Sequence, residues 1–181
     1  QTADDLKLLA RFDVDPFNAW QASRQLILKD AKTHAQAQAS GHWVEVIGER
    51  LEDYLSQDDS SQAALLSQWL MLPSIKSLLL ETDASLDTLL AFRDQLGLAL
   101  GHRCQAQLKA CYEASKDPKP YRFDKVSVGI RALKGRALSL LSSVDPEWTI
   151  QAAVEQYKGA EHMTDRMSAL QAINDLHGSE R

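Results

Sequence analysis

Ile130, Leu133, Ala137, Leu140 and Leu141 recur at the period of one helix face. Stripes of this kind follow one another along the chain and leave little of it for strands. Val44, Ile47, Leu51 and Leu55 form one, and Leu65, Leu66, Trp69 and Leu70 form another. Shorter stripes lie over Asp4 to Phe12 and over Ile75 to Leu80. Helix-start chemistry stands at the breaks. Asp15-Pro16 and Asp145-Pro146 each put Asp at an N-cap and Pro at the first helical position. The helix begun at Pro16 carries Phe17, Trp20, Ile27 and Ala31. It is expected to run to about Ala39, where Ser40-Gly41 ends it.

Further along, Ser56 to Ser61 reads as a polar turn with Asp59 as a cap. Pro73 interrupts the chain, and Thr82 to Ser85 is a turn. Leu86, Leu89 and Leu90 open a helix that continues through Gly97 or breaks near it. Leu100, Cys104, Leu108 and Cys111 share one face of the next helical stretch. Lys116 to Tyr121, with Pro118 and Pro120 around one lysine, is the clearest loop. Val154 and Tyr157 are expected to face inward. Met163, Met167, Leu170 and Ile173 mark the last helix, with a stripe that would seek a following one.

Composition agrees. Leu and Ala dominate, Val and Ile are scarce, and 8 Gly and 5 Pro supply little turn chemistry for a many-stranded fold. The fold class is therefore all-α. Roughly eight to ten helices are expected to stack as antiparallel pairs into an α-superhelix, a solenoid-like single domain over residues 1–181. The 20 basic and 25 acidic residues give a net charge of −5, without a Lys/Arg block. That excludes the electrostatic footprint of a nucleic-acid partner. No apolar run approaches the roughly 20 residues of a membrane span, so no membrane partner is expected and a cytoplasmic location is. The chain starts at Gln1 without an initiator Met or a signal segment, and it reads as a piece of a longer protein.

Candidate chemistry is sparse. His34, His42, His102, His162 and His177 show no His-x-x-x-His pair, and His42 with Glu45 is only a two-ligand start. Cys104 and Cys111 on one helix would stand about 10.5 Å apart, too far for a disulfide, and read as buried thiols. Ser23, Ser74, Ser85, Ser127 and Ser139 lie outside any Gly-x-Ser-x-Gly turn. The carboxylates at Asp4-Asp5, Glu49, Glu52, Asp53 and Asp58-Asp59 read as caps or solvated faces. Arg131, Lys134 and Arg136 read as a solvated basic cluster. Trp20, Trp43, Trp69 and Trp148 read as packing residues. No catalytic, cofactor-binding or metal residue is assigned. A pocket of unrecognised activity would need convergent polar groups, and no such cluster is visible along the chain.

Three segments carry a resemblance. Asp13-x-Asp15-Pro16-Phe17-Asn18-x-Trp20 with Gln25-Leu26 is the first. Tyr121-x-Phe123-Asp124-x-x-Ser127-x-Gly129-x-Arg131-Ala132-Leu133-Lys134 is the second. Gln156 to Ala160 with Met163-Thr164-Asp165-Arg166-x-x-Ala169-Leu170 is the third. In this order, with Leu72-Pro73-Ser74 between them, they resemble the C-terminal helical domain of the bacterial-type zinc aminopeptidase N family. Ala19 and Gln21 depart from it, standing where the family shows Arg and Glu, and His162 stands where an Asn is common.

The resemblance implies the N-terminal portion of an α-superhelix that covers the peptide access cavity of a catalytic domain. It implies zinc in the parent enzyme and none in this chain. The implied partners are the parent's other domains and its peptide substrates. On this view Asp13, Asp15, Asn18 and Trp20 cap and anchor the first long helix. Thr164, Asp165 and Arg166 are helix-start residues, with Arg166 free to pair. The alternative is a free-standing helical-repeat interaction module without catalysis.

Overall fold

The structure is a computed structural model and describes residues 1–33, 41–57, 59–116 and 121–178. Among the described residues there are ten α-helices, one 3-10 turn at Ser60–Gln62 and no strand. The helices are α1 (Ala3–Phe12), α2 (Pro16–Thr33), α3 (His42–Ser56), α4 (Ala63–Trp69), α5 (Ile75–Glu81), α6 (Leu86–Arg103), α7 (Gln105–Ala114), α8 (Lys125–Leu141), α9 (Pro146–Gly159) and α10 (Met163–Gly178). The expected extension of α2 to Ala39 with its Ser40 stop, the turn position Asp58 and the 117–120 part of the proline loop lie outside the described residues.

The helices form two compact units. One comprises residues 1–50 and 71–100, the other 51–70 and 101–181. In the first unit α1 packs along α2. Lys7 and Arg11 of α1 reach Glu45 (2.5 Å) and Glu49 (3.0 Å) of α3. Arg50 adds two hydrogen bonds to the Ala10 carbonyl at the end of α1. Trp43 is buried and donates its indole N–H to the Ser23 hydroxyl at 3.0 Å. The apolar stripes of α1 and α2 thus pack together with Trp43 at the start of α3 buried beside Ser23, while the exposed ion pairs between α1 and α3 add little energy of their own.

In the second unit α8 is the common partner, packing against α4, α7, α9 and α10. A helix with that many neighbours needs small residues where they come closest. A Cβ added at Gly129 would stand 2.7 Å from the Ala64 nitrogen of α4, and one at Gly135 would stand 3.0 Å from the Ser168 Cβ of α10. Elsewhere Tyr112 of α7 fixes α9. Its hydroxyl donates to the Ala152 carbonyl at 3.1 Å, and its ring meets Trp148 edge-on at 5.3 Å.

Two expectations about packing change. The stripe Leu100, Cys104, Leu108 and Cys111 is buried throughout, but it does not ride on one helix. α6 ends at Arg103 and α7 starts at Gln105, with Cys104 in the turn. Tyr157 is 43% exposed, because the buried face of α9 is Thr149, Ala152, Ala153 and Gln156. Phe17 also stands out of the core, against Trp20. On α10 the stripe Met163, Met167 and Leu170 is exposed as a set.

Most helix starts are fixed by caps. Thr2 and Asp5 form a capping box. Asp15 accepts from the Phe17 N–H, Asp59 from the Ser61 N–H, and Ser74 and Ser85 from the N–H groups of Ser77 and Thr88. Asp124 takes both the N–H and the hydroxyl of Ser127. Asp145 takes the Trp148 N–H, together with Lys109 at 2.5 Å and Gln105.

These donors favour the charged form. Asp124 is held below the ordinary carboxylate value of 3.8 by the Ser127 N–H and hydroxyl, and Asp145 by Lys109 and the Trp148 N–H. Asp5 and Asp59 are lowered in the same way, by Thr2 and by Ser61. Unfolded, these groups take up protons more readily than they do in the fold. The stability they contribute is complete above the unfolded pKa and is lost as pH falls through the lower folded values. Thermal melts stepped from about pH 6 to about pH 3 should show a falling Tm, steepest below about pH 4. A flat profile would refute the capping role.

Candidate functional site: a polar cavity at the turn between α9 and α10

α9 ends at Gly159 and α10 begins at Met163, so the chain reverses over Ala160 to His162. A cavity of about 470 Å³ opens at this turn, within the second unit. α8 supplies Lys134 to its lining, α9 supplies Glu155 and Gln156, and α10 supplies Asp165. Tyr112, Lys116, Tyr121, Glu161 and His162 complete the walls and mouth.

The floor is an ion pair. Lys134 donates to Asp165 Oδ2, and both residues are buried, at 7% and 6% exposure. Gln156, at 9% exposure, donates its amide N–H to the Asp165 carbonyl and to the Ser168 hydroxyl, both at 2.8 Å. His162 Nδ1 accepts a long hydrogen bond from the Asp165 N–H at 3.4 Å, and its Nε2 lies 3.6 Å from Asp165 Oδ2. The Tyr121 ring stands 5.3 Å from the His162 ring, with the Arg131 guanidinium 4.9 Å from its centroid. At the mouth Lys116 pairs with Glu113 at 2.8 Å and with Glu155 at 3.8 Å.

This cavity gathers residues that the sequence left apart. Lys134 is not part of a solvated cluster. Arg131 caps the Tyr121 ring and donates to the Arg122 carbonyl, whereas Lys134 points into the unit and meets Asp165. Arg166 does find a partner, its Nε donating to the Ala160 carbonyl at 3.1 Å. The convergent polar cluster missing from the linear reading is therefore present. A helical Lys and Asp with an intervening sequence separation of 31 residues give no local pattern that would announce a pair.

The other candidates are placed elsewhere. His34 and the His177 side chain lie outside the described residues. His42 is half-buried at the start of α3, His102 is exposed near the end of α6, and Glu45 is committed to Lys7. Ser23, Ser74, Ser85 and Ser127 are engaged with Trp43 or in helix caps. The Ser139 carbonyl accepts from the Ser142 hydroxyl. Among the described residues no three His, Cys, Asp or Glu side chains group as a metal site, and none of the helices is long and apolar enough to cross a membrane.

Cys104 and Cys111 are buried and unbridged. Burial pushes their thiols up, to about 11 and about 12. The thiolate is the reactive form. Both cysteines are expected to resist a thiol reagent at about pH 8 in the native chain and to react together once denaturant unfolds it. Fast labelling of the native chain at either position would contradict their burial.

Ten helices, most with capped starts, and no strand among the described residues make the fold all-α. A family model described as "Domain of unknown function (DUF3458_C) ARM repeats" matches residues 3–181, and the chain belongs to this family. The resemblance carried by the three segments thus holds, since the family is the ARM-repeat C-terminal domain of the aminopeptidase N family. In fold the chain is similar to Legionella pneumophila aminopeptidase A, solved in complex with aspartic acid, with 23% identity and a TM-score of 0.81. That match covers 99% of this chain and 22% of that one, so the chain spans less than a quarter of the length of the protein it resembles.

Proposed function

We propose that this chain serves as a helical C-terminal segment of a zinc-dependent cytoplasmic aminopeptidase, where it shapes and covers the route by which peptides reach a catalytic domain elsewhere in the protein. The observation that carries this reading is the family match over residues 3–181. Fold similarity to an aminopeptidase of which this chain equals about a fifth supports it. A wall of packed helices beside a hydrolytic site excludes water and selects peptides by size. The described residues contain no group suited to hold zinc, so no step of the chemistry is assigned to them. The exposed stripe Met163, Met167 and Leu170 suits contact with other domains of the parent.

The experiment compares the whole parent protein with the 181-residue chain on aminoacyl reporter substrates, with and without a chelator. The parent is expected to hydrolyse them in a zinc-dependent way and the chain alone to be inert. Chelator-sensitive hydrolysis by the pure chain would overturn the proposal, as would a parent without aminopeptidase activity.

A further inference from the structure

We infer that the outer face of α6 docks a helix from another part of the parent protein, one that carries Lys or Arg two turns apart among apolar residues. The inference rests on the reading of this chain as one segment of a longer protein. Within the first unit, α6 is apolar on two opposite sides. Leu89, Phe92, Leu96 and Leu100 are buried. Along that side Arg93 donates to the Pro73 carbonyl at 3.1 Å, and a Cβ added at Gly97 would stand 3.1 Å from the Leu72 side chain. Away from them, Leu86, Leu90, Asp94 and Leu98 follow one another at four-residue steps, with Asp87 and Ala91 beside them. All six are exposed. A helix that is apolar on both sides is a buried helix, and a contiguous exposed apolar row marks an interaction surface.

Charge selects the occupant. Asp87 and Asp94 stand about 10.5 Å apart along the axis, two helical turns. Neither has an ion pair or a side-chain hydrogen bond among the described residues. Glu81 and Asp83, exposed just before the helix, add charge of the same sign. The same face of a second copy would set acid against acid, and an anionic surface would be repelled likewise. Cations two turns apart on a facing helix meet both aspartates, while the apolar residues between them cover Leu86, Leu90 and Leu98. The parent is the source of such a helix. This chain spans less than a quarter of the length of the aminopeptidase it resembles, and a helix tethered in the same polypeptide acts at high effective concentration. A face of this modest size is then enough to hold it.

The test is photo-crosslinking in the whole parent protein, with p-benzoylphenylalanine in place of Leu90 and, separately, of Leu86. Irradiation is expected to give crosslinks at monomer mass. Peptide mapping should place them in a helix outside this chain, with Lys or Arg two turns apart. Adding Asp94→Lys sets like charges together and should cut the yield several-fold at low ionic strength. Asp94 lies inside the helix, away from its dipole ends, so Asp94→Lys should leave the Tm of the 181-residue chain unchanged. Crosslinks only between copies, a target segment without those cations, or no crosslink from either position would overturn the inference. A yield untouched by Asp94→Lys would do the same, as would loss of the fold in the chain alone. Neither readout measures hydrolysis, so a parent without aminopeptidase activity would overturn the proposed function and leave this inference standing.

Discussion

Lys134→Met is expected to lower the stability of the fold by about 3–5 kcal/mol. The substitution keeps the length and apolar stem of the side chain but removes the ammonium. Asp165, at 6% exposure, would then keep a buried carboxylate without the Lys134 ammonium that donates to it. Asp165→Leu alone should cost a similar amount by stranding Lys134. The double variant Lys134→Met/Asp165→Leu removes both charges and is expected to recover most of either loss, because an apolar pair of similar volume is often no worse than a buried ion pair. Denaturant unfolding of the four proteins measures this as a double-mutant cycle. Single losses below about 1 kcal/mol would show that the pair behaves as if solvated. A double variant as unstable as the sum of the singles would show that the two sites do not interact.

The same pair marks how far the fold and the cavity were legible in the sequence. Helix starts announce themselves locally. Asp15-Pro16 and Asp145-Pro146 sit where α2 and α9 begin, and Asp145 accepts the Trp148 N–H as an N-cap should. The segments that carry the family resemblance turn out to be structural in the second unit. Asp124 and Ser127 cap α8, Gly129 lets α4 approach, and Gln156, Asp165 and Ala169 knit α9 to α10. What was not legible is tertiary. Lys134 has the residue type of a solvated helix face, and only the turn at Ala160 to His162 brings Asp165 over it. Tyr157 has the residue type of a core position, yet the smaller Ala153 and the polar Gln156 take the inward face of α9. Periodicity gave the element in both cases, and contacts between elements decided which side chain turned inward.

Gly129 offers the second large effect, and its sign runs against helix propensity. In an isolated helix, alanine is favoured over glycine by roughly 1 kcal/mol, so Gly129→Ala read locally should stabilise α8. In the fold the new Cβ would stand 2.7 Å from the Ala64 nitrogen, 2.8 Å from its Cβ and 3.0 Å from its Cα. Two of those three atoms are backbone, so no rotamer change relieves the contact and α4 itself must move. Displacing it disturbs Leu66 and Trp69, which are buried in the same short helix. Overpacking of this kind costs about 1–3 kcal/mol, which outweighs the propensity gain, and Gly129→Val should cost more. For a chain of this size each kcal/mol lowers Tm by about 2–4 °C. Gly159→Ala is the matched control, because a Cβ there meets nothing within 4 Å. It should leave Tm unchanged or slightly raised. A Gly129→Ala variant that melts at or above the wild-type temperature would show that α4 and α8 are not held in the close contact described, whatever helix propensity contributes.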